Sequence, residues 1–135
     1  MNTMDSGIAQ QIADAASKFQ TLSTGHSPKA VTVVLSEDTL VITLHGALTP
    51  AERALSQTAD GAAQMQDFHK QLFAASSESL RRDVARITGR KVGEAAAEVE
   101  PTTGSIVHAF TTGTMVQVFL LEPPTLDANQ PPKGA

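Results

Sequence analysis

The chain has 135 residues, 41% of them hydrophobic, which suffices for one core and is too few for two domains of ordinary size. A formal net charge of -4, five Phe and no Trp or Tyr leave neither a basic footprint nor aromatic stacking surfaces, so nucleic acid is not expected as a partner. The absence of cysteine excludes disulfides, thiolate nucleophiles and zinc-thiolate sites together. No apolar run approaches the ~20 residues that span a bilayer, and residues 1–6 lack the basic start and apolar stretch of a secretory signal. A cytoplasmic protein that does not span a membrane is expected.

In chain order, Ile8, Ile12, Ala15, Ala16, Phe19 and Leu22 recur at three- and four-residue steps and predict an amphipathic helix. Asp5 or Ser6 can cap its start, and Gly25 lies where a left-handed C-cap forms most easily. Pro28 then forces Ser27 out of the α region, so an extended segment follows. Residues 31–35 and 40–45 are β-branched and aliphatic runs joined by Ser36-Glu37-Asp38-Thr39, a hairpin pattern. Val31, Val33 and Leu35 point one way and Val34 the other; Leu40, Ile42 and Leu44 oppose Val41. With apolar groups on both faces, the pair is expected to be covered on both sides, the second cover being a partner subunit.

The stretch Leu48-Thr49-Pro50-Ala51-Glu52 turns strand into helix. Thr49 is a good N-cap, Pro50 fits the first helical position, and Glu52 sits where a capping-box carboxylate reaches back. A short helix over 51–57 breaks near residues 58–61. Met65, Phe68, Leu72, Ser76, Leu80, Val84 and Ile87 then keep a 3.6-residue rhythm up to Gly89, which predicts one long helix from Asp60 to Thr88 that Ser76-Ser77 could split. Residues 92–100 read as a half-exposed strand, 101–104 as a turn and 106–110 as the return strand. Thr111-Thr112-Gly113 interrupts it, and the nearly unbroken apolar run 115–121 reads as a central or doubly covered strand. The expected fold is α+β over residues 1–121, in the order α-β-β-α-α-β-β-β, with an antiparallel or mixed sheet of four to five strands. Residues 122–135, with Pro123, Pro124, Pro131 and Pro132, describe a disordered tail.

No catalytic motif is present. The four histidines, His26, His45, His69 and His108, lack the close pairing of metal sites. His26, His45 and His108 could nevertheless converge as metal ligands, two from strands and one from the preceding loop. Glu94, Glu98 and Glu100 share one strand face; a carboxylate row can bind cations, but a solvated strand face explains the same spacing and is the expected reading. Thr103-Gly104-Ser105 is no nucleophile elbow, and Thr88-Gly89-Arg90-Lys91 follows a helix instead of leading one, so it is no phosphate loop. Arg81, Arg82, Arg86, Arg90 and Lys91 concentrate positive charge at a helix C-terminus, either as a solvated face or as a dock for an acidic partner or lipid headgroups.

The order helix, Gly25-His26-Ser27-Pro28, hairpin, Leu48-Thr49-Pro50-Ala51-Glu52, long helix, Thr88-Gly89, strand, and Thr111-Thr112-Gly113-Thr114 before Val116-Gln117-Val118-Phe119-Leu120 resembles the MpsC-like family. That family is associated with sodium translocation and membrane-potential generation in bacteria. Its signature corresponds here to Gly25, Pro28, Leu48, Thr49, Pro50, Glu52, Gly89 and Gly113, and the family's usual Gly-x-Gly-Pro has Ser27 in place of its second glycine. The resemblance covers about residues 8–121 and carries over no catalytic residue, metal or cofactor. It implies a partner system in ion or inorganic-carbon transport at the membrane. The expected function is therefore a non-enzymatic, homodimeric interaction or accessory protein. The alternative is a small-ligand or metal-binding domain with a pocket lined by His26, His45 and His108.

Overall fold

The structure, a computed structural model of the chain, describes residues 6–112 and Val118. It opens with α1 (Ser6–Thr24), which ends where Gly25 takes φ 79° and its N–H donates to the Thr21 carbonyl at 2.7 Å. Two strands follow, β1 (Ala30–Ser36) and β2 (Thr39–His45), paired antiparallel with Val33 opposite Ile42. Their two-residue turn places Glu37 at φ 51°, as tight hairpin turns require. Arg90 clamps this turn from a distant part of the chain: its guanidinium donates to the Glu37 carbonyl at 2.6 Å and to Asp38 Oδ1 at 2.5 Å.

The Thr49 turn behaves as its residues dictate. Thr49 Oγ1 accepts from the Glu52 N–H at 3.1 Å, and Glu52 Oε1 accepts from the Thr49 N–H at 2.9 Å. This closes a capping box on α2 (Pro50–Leu55). Thr58 then caps α3 (Ala59–Ser76) through the Gly61 N–H, and α4 (Glu78–Thr88) ends at Gly89, left-handed at φ 72°. The long helix expected over 60–88 is thus two helices. The break falls at Ser77, a single residue with φ -77° and ψ -2°. Gly61 is buried where α3 meets the end of α2, and a Cβ there would lie 1.9 Å from the Leu55 carbonyl oxygen. Backbone cannot yield as a side-chain tip can, so Gly61→Ala should cost roughly 1–3 kcal/mol in urea denaturation despite alanine's better helix propensity. Equal or greater stability in that variant would mean the two helices are not held this close.

The last described strands are β3 (Glu94–Glu100) and β4 (Ser105–Thr111), and the sheet runs β1-β2-β4-β3, antiparallel throughout. The helices lie on one face of it. Against them the strands present Val31, Val33 and Leu35 from β1, Leu40, Ile42 and Leu44 from β2, Ile106 and Phe110 from β4, and Ala97 and Val99 from β3. Ile12, Ala16 and Phe19 of α1, Met65 and Phe73 of α3, and Leu80 and Val84 of α4 fill the layer above. Each large aliphatic side chain removed from water here is worth about 1.5–3 kcal/mol, which outweighs the weak helix propensity of the short elements.

Two residues placed on apolar stripes by periodicity are not core. Leu22 is 76% exposed, because the buried line at the end of α1 runs through Phe19 and Gln20. Phe68 is 53% exposed, because the inward line of α3 is Gly61, Met65, His69 and Phe73, a strict four-residue step. Phe68 lies beside that line, and His69 takes the inward place. The fifth strand expected over 115–121, the tail over 122–135, Gly113 and Asp5 lie outside the described residues.

Candidate functional site

The three histidines considered as a metal set do not come together. Strand alternation puts His45 on the sheet face away from the helices, where Nε2 hydrogen-bonds Thr32 Oγ1 at 2.9 Å. His108 is opposite Ile42 and faces the helices, so the sheet itself separates the two rings. His26 sits in the loop before β1, its Nε2–H donating to the Gly46 carbonyl at 3.2 Å. Among the described residues no group of three or more His, Asp or Glu side chains is placed to share a metal ion.

The fourth histidine has the buried carboxylate. His69 Nε2 lies 2.5 Å from Glu52 Oε2, with the two side chains only 4% and 17% exposed. One Glu52 carboxylate therefore completes the α2 cap with one oxygen and anchors α3 with the other. The contact, largely withdrawn from solvent, joins α2 to α3. Periodicity held a signal for it: His69 falls midway between Met65 and Phe73 at helical spacing.

His108 lies deeper still, 4.6 Å from the Phe73 ring centre and edge-on to Phe19 at 5.8 Å. Burial among these rings, with a smaller contribution from positive charge at His69, pushes its pKa from the usual 6.5 down to about 3. The ring is neutral at physiological pH. Its Nδ1, like the Nε2 of buried Gln20, meets no hydrogen-bonding group among the described residues.

Part of each charged cluster forms local pairs. Glu98 meets Lys70 at 3.0 Å and Glu100 accepts from the Thr103 N–H at 2.8 Å, so two of the three glutamates on that face of β3 are tied to their surroundings. Arg82 faces Glu78 at 3.6 Å, Arg86 faces Asp83 at 3.3 Å, and Arg90 holds the β1–β2 turn. A different concentration of positive charge, which periodicity could not reveal, lies at the other side of the fold. His26, Lys29, Gly46, Leu48, Pro50, Arg53 and Thr103 line an open cleft of about 700 Å³. Among the described residues, no helix is long and apolar enough to cross a membrane.

Residues 5–114 match the family model described as the Na+-translocating membrane potential-generating system, MpsC. The uncharacterized protein YbcI of Bacillus subtilis strain 168 is 24% identical over 110 residues, covering 82% of this chain and 89% of its own length. No solved structure matches at a significant level. The matched segment contains every described helix and strand after the first residue of the family model, including the capping box, the Ser77 break and both hairpins, and the chain therefore belongs to the MpsC family.

Proposed function

We propose that this protein is a non-enzymatic, homodimeric accessory component of a Na+-translocating, membrane-potential-generating system, acting by contact with other chains. The observation that carries the reading is the sheet face turned away from the helices. Val34, Val41, Ala109 and Ala96, one residue from each of the four strands, stand side by side in register across it. An antiparallel sheet covered on one side usually shows water polar residues on the other. Here no described helix packs over the row; Val34 at its β1 end is 52% exposed, Val41 and Ala96 are half-buried, and Ala109 is 4% exposed. Two copies related by a twofold axis can lay such rows against each other as a pair of aligned sheets. The description of the matching family is what supports the choice of system in this reading. The alternative of a histidine-lined ligand or metal pocket draws no support from rings that lie apart.

Native mass spectrometry over a dilution series tests the dimer. The wild type should persist as a dimer, and Val34→Asp should be monomeric with unchanged melting, since Val34 contributes little to the core of one chain. A wild type that is monomeric at every concentration overturns the reading. In cells lacking the gene, the Na+-dependent part of the membrane potential should fall. The wild type should restore it and Val34→Asp should not.

A further inference from the structure

The cleft lined by His26, Lys29 and Arg53 is built from three stretches distant in sequence: the loop before β1, the turn after β2 with the helix α2 that follows it, and the turn between β3 and β4. Backbone hydrogen bonds tie these segments together, from the Lys29 N–H to the His45 carbonyl at 2.8 Å and from the Ala47 N–H to the Gly104 carbonyl at 3.0 Å. The cleft is thus held open by the fold and needs no side-chain rearrangement to form.

Two left-handed glycines lie under its cations, Gly46 in the lining itself and Gly104 next to Thr103. Gly46, at φ 59°, has the stem of Lys29 lying across it, so close that a Cβ would come within 2.8 Å of the Lys29 Cγ and Cδ. Gly104, at φ 74°, is covered in the same way by the Arg53 guanidinium, 2.8 Å from where its Cβ would be. Each glycine therefore does two things: it makes the turn, and it leaves room for a cationic side chain to lie over the backbone. Both cations are delivered to one cleft.

They arrive there unneutralised. No acidic residue lines the cleft, and among the described residues neither Lys29 nor Arg53 has a carboxylate partner, a state they share with Lys18, Arg81 and Lys91 but not with Lys70, Arg82, Arg86 and Arg90. Glu52, next to Arg53 in sequence, has its carboxylate turned inward to the cap and His69. On a chain of net charge -4 this is a local reversal of sign. An arginine fork, a lysine ammonium and the Thr103 hydroxyl together offer donors in the pattern that recognises tetrahedral phosphate, with Leu48 and Pro50 as apolar walls for the group that carries it. The volume is that of a small-molecule site.

We infer that this cleft binds a phosphate group, borne either by a small soluble phosphate compound or by an anionic phospholipid headgroup, with Arg53 and Lys29 as its principal contacts. The test uses the full chain, 15N-labelled, titrated with inorganic pyrophosphate, and in parallel sedimented with vesicles of phosphatidylcholine with or without phosphatidylglycerol. Saturable shifts at Lys29, Arg53 and Thr103 that weaken at least tenfold in Arg53→Gln, and are unchanged in Arg82→Gln, establish the site with a soluble ligand. Binding confined to phosphatidylglycerol vesicles and lost in Arg53→Gln establishes it with a headgroup. Both exchanged side chains are exposed, so unchanged melting of each variant keeps the comparison valid. Absence of binding in both arms, or equal weakening by Arg53→Gln and Arg82→Gln, overturns the inference.

Discussion

Replacing Glu52 with alanine should destabilise the domain by roughly 2–4 kcal/mol, more than any other exchange at its helix terminus. Two losses combine. The Thr49 N–H loses its acceptor and α2 half of its capping box, for which cap deletions give about 0.5–2 kcal/mol. In addition His69, 4% exposed, loses the carboxylate 2.5 Å away, and a buried polar group left without its partner costs about 1–3 kcal/mol. Thr49→Ala removes the other half of the same capping box, the hydroxyl that accepts from the Glu52 N–H, and leaves the Glu52–His69 contact in place, so it gauges what one cap hydrogen bond is worth. Urea denaturation of the two variants at neutral pH separates the contributions, and His69→Leu in both backgrounds measures their coupling. If Glu52→Ala cost no more than Thr49→Ala, the carboxylate would be serving the cap alone.

Acidification should expose the second large effect. Above pH 6.5 neither the folded nor the unfolded chain protonates His108, and the residue adds nothing to the pH dependence of stability. Below 6.5 the unfolded chain takes up a proton that the folded chain refuses until about pH 3, so stability falls progressively across that interval. By pH 5 the loss attributable to this one ring is about 2 kcal/mol. His108→Phe keeps an aromatic ring beside Phe19, Phe73 and Phe110 and removes the titration. Unfolding free energies at pH 7.5 and pH 5 should therefore differ by about 2 kcal/mol less in the variant than in the wild type. Parallel pH profiles for the two proteins would show that His108 is protonated within the fold or reached by water.

The order and type of the described elements could be read from the chain because each has a local cause. Gly25 and Gly89 end helices by adopting positive φ, Thr49-Pro50-Ala51-Glu52 starts one by satisfying its own first N–H groups, and alternation in 31–35 and 40–45 makes a hairpin. These interactions span only a few residues. The family resemblance, drawn over about residues 8–121, rested on these stretches and on residues 111–120, and the family match covers residues 5–114.

Where partners are distant in sequence, local pattern misdirected. Periodicity favoured Phe68 for the core, yet the rotation of α3 follows Met65, His69 and Phe73, since Glu52 on another helix offers His69 a hydrogen bond that no local count contains. The proposed trio of His26, His45 and His108 failed for a related reason: strand register, set by pairing across the sheet, assigns His45 and His108 to opposite faces. The break at Ser77 lay within reach of the sequence, but its extent, one residue, depended on how α3 and α4 each settle on the sheet.

By itself the sequence determined the kinds of element, their boundaries to within a few residues, the capping box and the absence of any thiol chemistry, because these depend on backbone sterics, short-range hydrogen bonding and composition. Only the tertiary structure decided that Glu52 and His69 share a buried hydrogen bond, that His108 is held neutral among aromatic rings, and that Lys29 and Arg53 meet over two glycines in one cleft. Each of those outcomes brings together groups from separate segments, and it is the packing of those segments, through desolvation and pairing across space, that sets their chemistry.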